Sequence, residues 1–414
     1  MKGLEEHPVS YSEWRPHIFL LGAVGAGLAG LLAGALLAVF MPRGYLSGYE
    51  YHVWRWEAEK LIPSLFRHAG IGPSPGDEAA DEALLEYFRL TTDIRNTQAQ
   101  PSPDTALIEA LRAERTLYEN DVERIIERRI NDAIGDADLR RSLPLFRDVQ
   151  ITWPPVDLEL TTPPRLLVRS PRAEIRRAGD TLLRDSIGAA EIERIESETD
   201  TPDLVSIVVP VGGIAVYPSI VRDDRSYDAL LNTAAHEWVH HYLAFFPLGR
   251  QWGKGSDATT LNETVADLAG VELANMVRDA HPTSFPPSGD GARTVGTAPA
   301  IDFNAEMREL RLQVDELLAG GRVSEAEALM EATRLHLAEH GIHLRKLNQA
   351  YFAFYGTYAE SPAASDPIGP LTREVWEATG DVGAFLTLMR DITSRSELEA
   401  LVTSLAYSET VGRP

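Results

Sequence analysis

The residues best suited to chemistry lie in the stretch TAAHEWVHHY, residues 233–242. His236 and His240 are four apart, so on a helix they project from one face about a turn apart, as two ligands of one metal ion must. Glu237 sits beside them, where it can take a proton from a water activated by that ion. Downstream, TLNETVADLAGVELA offers Glu263, with 22 residues between it and His240. A catalytic zinc site takes three protein ligands and keeps its fourth position open for water, and Glu263 can be the third ligand. Asp267, one helical turn further, can accept the second ring N–H of a ligating histidine and fix its tautomer. The chain has no cysteine, which excludes disulfides, thiolate metal sites and a cysteine nucleophile. Any metal must therefore be held by histidine and carboxylate. The plainer alternative is a histidine pair packed in a core, with Glu263 and Asp267 on a solvated helix face. A glutamate at this distance from an HExxH string favours one zinc ion on His236, His240 and Glu263, with Glu237 as base. Other zinc patterns fail: no third histidine stands at the metzincin spacing, and the inverted HxxEH order is absent. His241 points about a hundred degrees away from His240 on a helix and reads as structural.

At these residues the chain resembles a gluzincin, the metallopeptidase group that pairs HExxH with a downstream glutamate. More narrowly, it is similar to a bacterial family of zinc-dependent aminopeptidases. That family carries a helix of the HELAHQ type, an FNEAFATF-like helix and a later segment resembling NNARLxxxxxY. Here the corresponding stretches read HEWVHH, LNETVADL and LNQAYFAFYGTY, within a resemblance covering roughly residues 204–400. His236, Glu237, His240 and Glu263 carry over position by position, and the family tyrosine falls on Tyr358, ten residues after Asn348. His241 replaces the usual glutamine and Gln349 an asparagine. The resemblance implies hydrolysis of peptide bonds and, more narrowly, aminopeptidase action. It also implies a hydrogen-bond donor for the oxyanion, for which Tyr358 is the first choice and Tyr355 the second. By analogy with gluzincin architecture, the strand at Pro210–Val216 binds substrate through backbone pairing, its glycine pair allowing close approach.

The motif residues need elements to hold them. Leu230, Leu231, Ala234, Ala235, Val239 and Leu243 give the HExxH helix a buried face. Strands are expected at Val149–Thr152, Arg165–Val168 and Leu204–Val216, and helices at about 50–69, 78–96 and 104–134. Residues 302–341 read as a helical hairpin turning at Gly320–Gly321, and residues 281–300 as a surface loop. The expected fold class is predominantly α with a small β-sheet. Its divisions are a short arm (1–16), a transmembrane anchor (17–42), a helical stalk or subdomain (43–148), a zincin-like metallopeptidase domain (149–405) and a tail (406–414).

A formal net charge of −23 argues against a nucleic-acid partner, since phosphate binding needs a basic face. Residues 17–41 are free of charge and proline and are about long enough to span a bilayer as a helix. Aromatic residues flank the segment on both sides, Tyr11 and Trp14 before it and Tyr45, Tyr49, Tyr51 and Trp54 after it. The flanking positive charges nearly balance. The short arm before a long folded region favours a single-pass anchor with the catalytic domain outside the cytoplasm. Gly22, Ala26, Gly30 and Gly34 form a small-residue stripe through which two anchors can associate, although a generic glycine-rich span explains it as well. The expected partners are thus a peptide or protein substrate and the lipid bilayer. Two other classes remain open: an anchored, non-catalytic interaction protein with a structural zinc site, and a zinc hydrolase of non-peptide amides. An intact Glu237 speaks against the first, because a structural site needs no base.

Overall fold

The computed structural model describes residues 45–68, 77–143, 146–282, 285, 301–358, 361 and 367–411. In chain order the elements are α1 (Val53–His68), α2 (Asp77–Gln98), α3 (Thr105–Asp136), β1 (Arg141–Leu143), β2 (Phe146–Ile151), β3 (Leu158–Thr161), β4 (Arg165–Pro171) and β5 (Gly179–Leu183). There follow α4 (Ala189–Thr199), β6 (Leu204–Pro210), β7 (Gly213–Ile214), β8 (Ser219–Arg222), α5 (Tyr227–Leu243), α6 (Pro247–Arg250) and α7 (Ser256–Ala280). The chain continues with α8 (Phe303–Ala319), α9 (Val323–Glu339), α10 (Gln349–Tyr355), α11 (Ile368–Thr379), α12 (Val382–Met389) and α13 (Arg395–Val411). The class is mostly helical with small sheets, as expected. The anchor at residues 17–41 lies outside the described residues. No helix among the described residues is long and apolar enough to cross a membrane.

Helices α2 and α3 form a hairpin, and Asp104 caps the second, accepting from the Leu107 N–H at 3.0 Å. Val122, Ile126, Ile130 and Ala133 recur at helical spacing on α3 and are buried. They enter the same apolar core as Leu230 and Trp238 of α5 and Leu261 and Val265 of α7. This part of the expected stalk is therefore packed into the body that carries the motif rather than projecting from it. Arg129 fastens the join, donating to Asp81 on α2 at 2.8 Å and to the Tyr227 hydroxyl at the start of α5 at 3.0 Å. Arg115 likewise pairs with Asp223, just before α5.

Among the described residues the β-structure is three small sheets: a β1–β2 hairpin, the order β3–β8–β7, and the antiparallel order β5–β4–β6. The single strand expected over Leu204–Val216 is two strands in different sheets. Pro210 closes the β6 ladder, and Gly212–Gly213 lead into β7, an edge strand paired antiparallel with β8. The apolar run Ile207–Val209 of β6 follows from burial on both faces. Val208 packs with Leu167, Leu183 and Ile195, while Ile207 and Val209 pack with Ala350 and Phe354 of α10.

Buried Glu196 on α4 accepts the Val208 N–H at 2.6 Å and takes both Arg345 amino groups at 2.8 and 2.5 Å. Asn348 caps α10 by accepting from the Tyr351 N–H at 3.0 Å, and its amide donates to the Ser206 carbonyl at 3.0 Å. These bonds dock the tyrosine-bearing segment on β6. The hairpin expected over 302–341 is α8–α9, with Gly321 at φ +71° supplying the left-handed turn. The loop expected over 281–300 falls almost wholly outside the described residues.

Candidate metal centre

Ser226 caps α5, accepting from the Ala229 N–H at 3.3 Å. The helix buries Leu230, Ala234, Trp238 and Tyr242 on one side, which turns His236, Glu237 and His240 toward a cleft of about 820 Å³. Helix α7 crosses α5 at Gly270, where a Cβ would come within 2.8 Å of both the backbone N and the Cα of His236. Only glycine lets the helices approach this closely, and the approach brings Glu263 to the histidines. The two histidine Nε2 atoms are 2.9 Å apart, and Glu263 Oε2 lies 3.7 Å from that of His236 and 3.5 Å from that of His240. A tetrahedral ion with bonds of about 2.0–2.2 Å sets its ligand atoms roughly 3.3–3.6 Å apart, close to this triangle. His236, His240 and Glu263 thus form a group able to hold a metal ion.

Each of the three has an outer partner. His236 Nδ1 meets Asp267 Oδ1 at 2.9 Å, the role expected of that aspartate. His240 Nδ1 meets Asn262 Oδ1 at 2.6 Å, and the Trp252 indole N–H donates to Glu263 Oε1 at 3.2 Å. With each Nδ1 so engaged, both Nε2 atoms are left for the ion. The field favours a cation: burial opposes charge on His236, yet the Asp267 hydrogen bond and the surrounding carboxylates outweigh it and carry its pKa to about 9. Burial likewise opposes charge on Glu263, but the two imidazoles prevail and hold its carboxyl at about 2.

Glu237 is buried beside the triangle, and burial lifts its pKa above the ordinary carboxyl value, the direction that makes a better base. A Cβ on Gly213 would meet Glu237 Oε1 at 2.6 Å, so the glycine of β7 is what makes room for the carboxylate. Tyr355 and Tyr358 both line the cleft. Burial, then the Glu263 and Asp267 carboxylates, push the Tyr358 phenol well above its usual range, so its hydroxyl stays a donor. His241 bonds to the backbone of Ala215 and Val216 just after β7 and packs on Tyr217, as befits a structural residue.

The structure thus gathers His236, Glu237, His240, Glu263, Asp267, Tyr355 and Tyr358 around one cleft. Sequence reasoning missed Asn262, Trp252, Gly270 and Arg177. The first touches Glu263 in sequence and could have been found by asking what faces the second histidine. The others carry no signal in type or spacing. No family model matches the chain, and neither does any curated protein or solved structure.

Proposed function

We propose that the protein is a zinc-dependent peptidase in which Glu237 is the general base. The carrying observation is the triangle of His236, His240 and Glu263 with a buried carboxylate, Glu237, lining the same cleft. Two imidazoles and one carboxylate suit zinc, which when bound supplies an activated water and a polarised carbonyl. Asp267, Asn262 and Trp252 keep the ligands oriented. Glu237 takes the proton of the attacking water and passes it to the leaving amine. Tyr358, held protonated, donates to the oxygen on which charge develops. Strand β7 is a sheet edge lining the cleft, against which an extended peptide can lie. The cleft falls within the size range of ligand sites, and its long apolar walls suit a side chain better than a small hydrophilic amide. The likeness to gluzincins points the same way, and the anchor at 17–41 would set this chemistry at a membrane, outside the cytoplasm.

Metal removal tests the reading. Full-length protein stripped by a chelator should stop cleaving a mixed peptide pool followed by mass spectrometry. Stoichiometric zinc should restore cleavage and raise the unfolding temperature. Cleavage that persists without metal, or zinc that neither binds nor stabilises, would overturn it.

A further inference from the structure

The cleft holds one lysine or arginine among its described lining residues, Arg177, in the connection from β4 to β5. Its guanidinium carbon stands 5.6 Å from the Phe354 ring centroid and 6.0 Å from that of Trp252. Trp252 is the residue whose indole N–H reaches Glu263, so the guanidinium is one indole away from a metal ligand. Asp180, also in the cleft, takes Nε at 3.0 Å and Nη2 on a single carboxylate oxygen. That pairing leaves Nη1 with no hydrogen-bond partner among the described residues, although the group offers five donors. An arginine held by two rings and one carboxylate is already ordered, so a ligand that binds it forfeits little side-chain entropy.

The acids of the cleft are committed. Asp180 holds Arg177, Asp267 holds His236, Glu263 completes the metal triangle and Glu237 is the base. Among the described lining residues none is left over to hold a free amine, which is what recognition of a peptide N-terminus would ask for.

We propose that Arg177 binds a carboxylate of the substrate, so that the cleft selects peptides carrying a negative charge beside the scissile bond rather than a free amino terminus. The charge has two sources, an aspartate or glutamate side chain or the C-terminal carboxylate, and Arg177 reads the chemistry they share: two oxygens in a plane, matched by the guanidinium fork. The inference rests on the peptidase reading for its substrate but not for its measurement.

The test is calorimetric binding to zinc-loaded, full-length protein carrying Glu237→Gln, in which bound peptide is not consumed. Three short peptides share one sequence: one with a free C-terminus and a glutamate, one amidated at the C-terminus, one with the glutamate replaced by glutamine. Neutralising the carboxylate that Arg177 reads should weaken binding roughly 10- to 100-fold, the size of a charge-assisted hydrogen bond. Which peptide suffers identifies the source. Adding Arg177→Met, which keeps most of the packing volume, should erase the difference. Arg177→Lys, which keeps the charge without the fork, should retain part of it and serves if the methionine variant misfolds. Equal binding of all three peptides, or a preference that survives both substitutions, would overturn the proposal. Peptide hydrolysis by the parent protein bears separately on the reaction, so either claim can fail without the other.

Discussion

At the scale of single residues, each side chain at the site is set by its neighbours, and His241 shows how this reaches stability. Burial, then the charge of the adjacent His240, depress its pKa from 6.5 to about 4, although backbone bonds to Ala215 and Val216 pull the other way. The folded pKa lies below the unfolded one, so on acidification the unfolded chain takes up this proton first. Stability from this group is therefore intact above about 6.5 and is lost as pH falls toward about 4. Tyr217 is its ring neighbour. Metal-free His241→Asn, which still bonds to a carbonyl but does not titrate, should lose less stability than the metal-free parent across that window. Denaturant unfolding at several pH values measures it, and equal slopes would remove His241 as the cause.

At the scale of elements, two glycines carry separate jobs. Gly270→Ala would push a Cβ against His236 backbone, which cannot yield, so α5 and α7 must separate. We expect a loss of about 1–3 kcal/mol and weaker zinc binding, read by denaturation and metal titration. Gly213→Ala would strike Glu237 Oε1 and the Ile220 carbonyl instead. It should lower turnover while leaving zinc affinity near that of the parent; equal effects of both on zinc would contradict the division. These elements also show what the sequence made legible. The α5 motif, the α7 glutamate and the α8–α9 hairpin were readable because apolar period, caps and ligand spacing all lie within single elements. Strand β3 and the split between β6 and β7 were not, because the first pairs with β8 across some sixty residues and the second turns on which sheet receives the chain after Pro210. Arg177 and Trp252 meet the site only through loops, and pairwise distance along the chain says nothing of that.

At the scale of the whole molecule, α2 and α3 share a core with the motif helices, and the apolar segment 17–41 precedes all of them in the sequence. Removal of residues 1–42 should therefore release a soluble protein that unfolds cooperatively and still binds zinc. A truncated chain that stays in the pellet or shows no unfolding transition would mean that the apolar segment belongs to the core. Under the proposed function, Glu237 is a base held beside a metal without becoming one of its ligands. Glu237→Gln tests that most directly, with zinc content and peptide turnover measured on the same full-length sample. The variant keeps the size of the side chain but cannot accept a proton, so zinc should remain stoichiometric while kcat falls about 10² to 10⁴-fold. Turnover close to that of the parent, with zinc still bound, would contradict the mechanism.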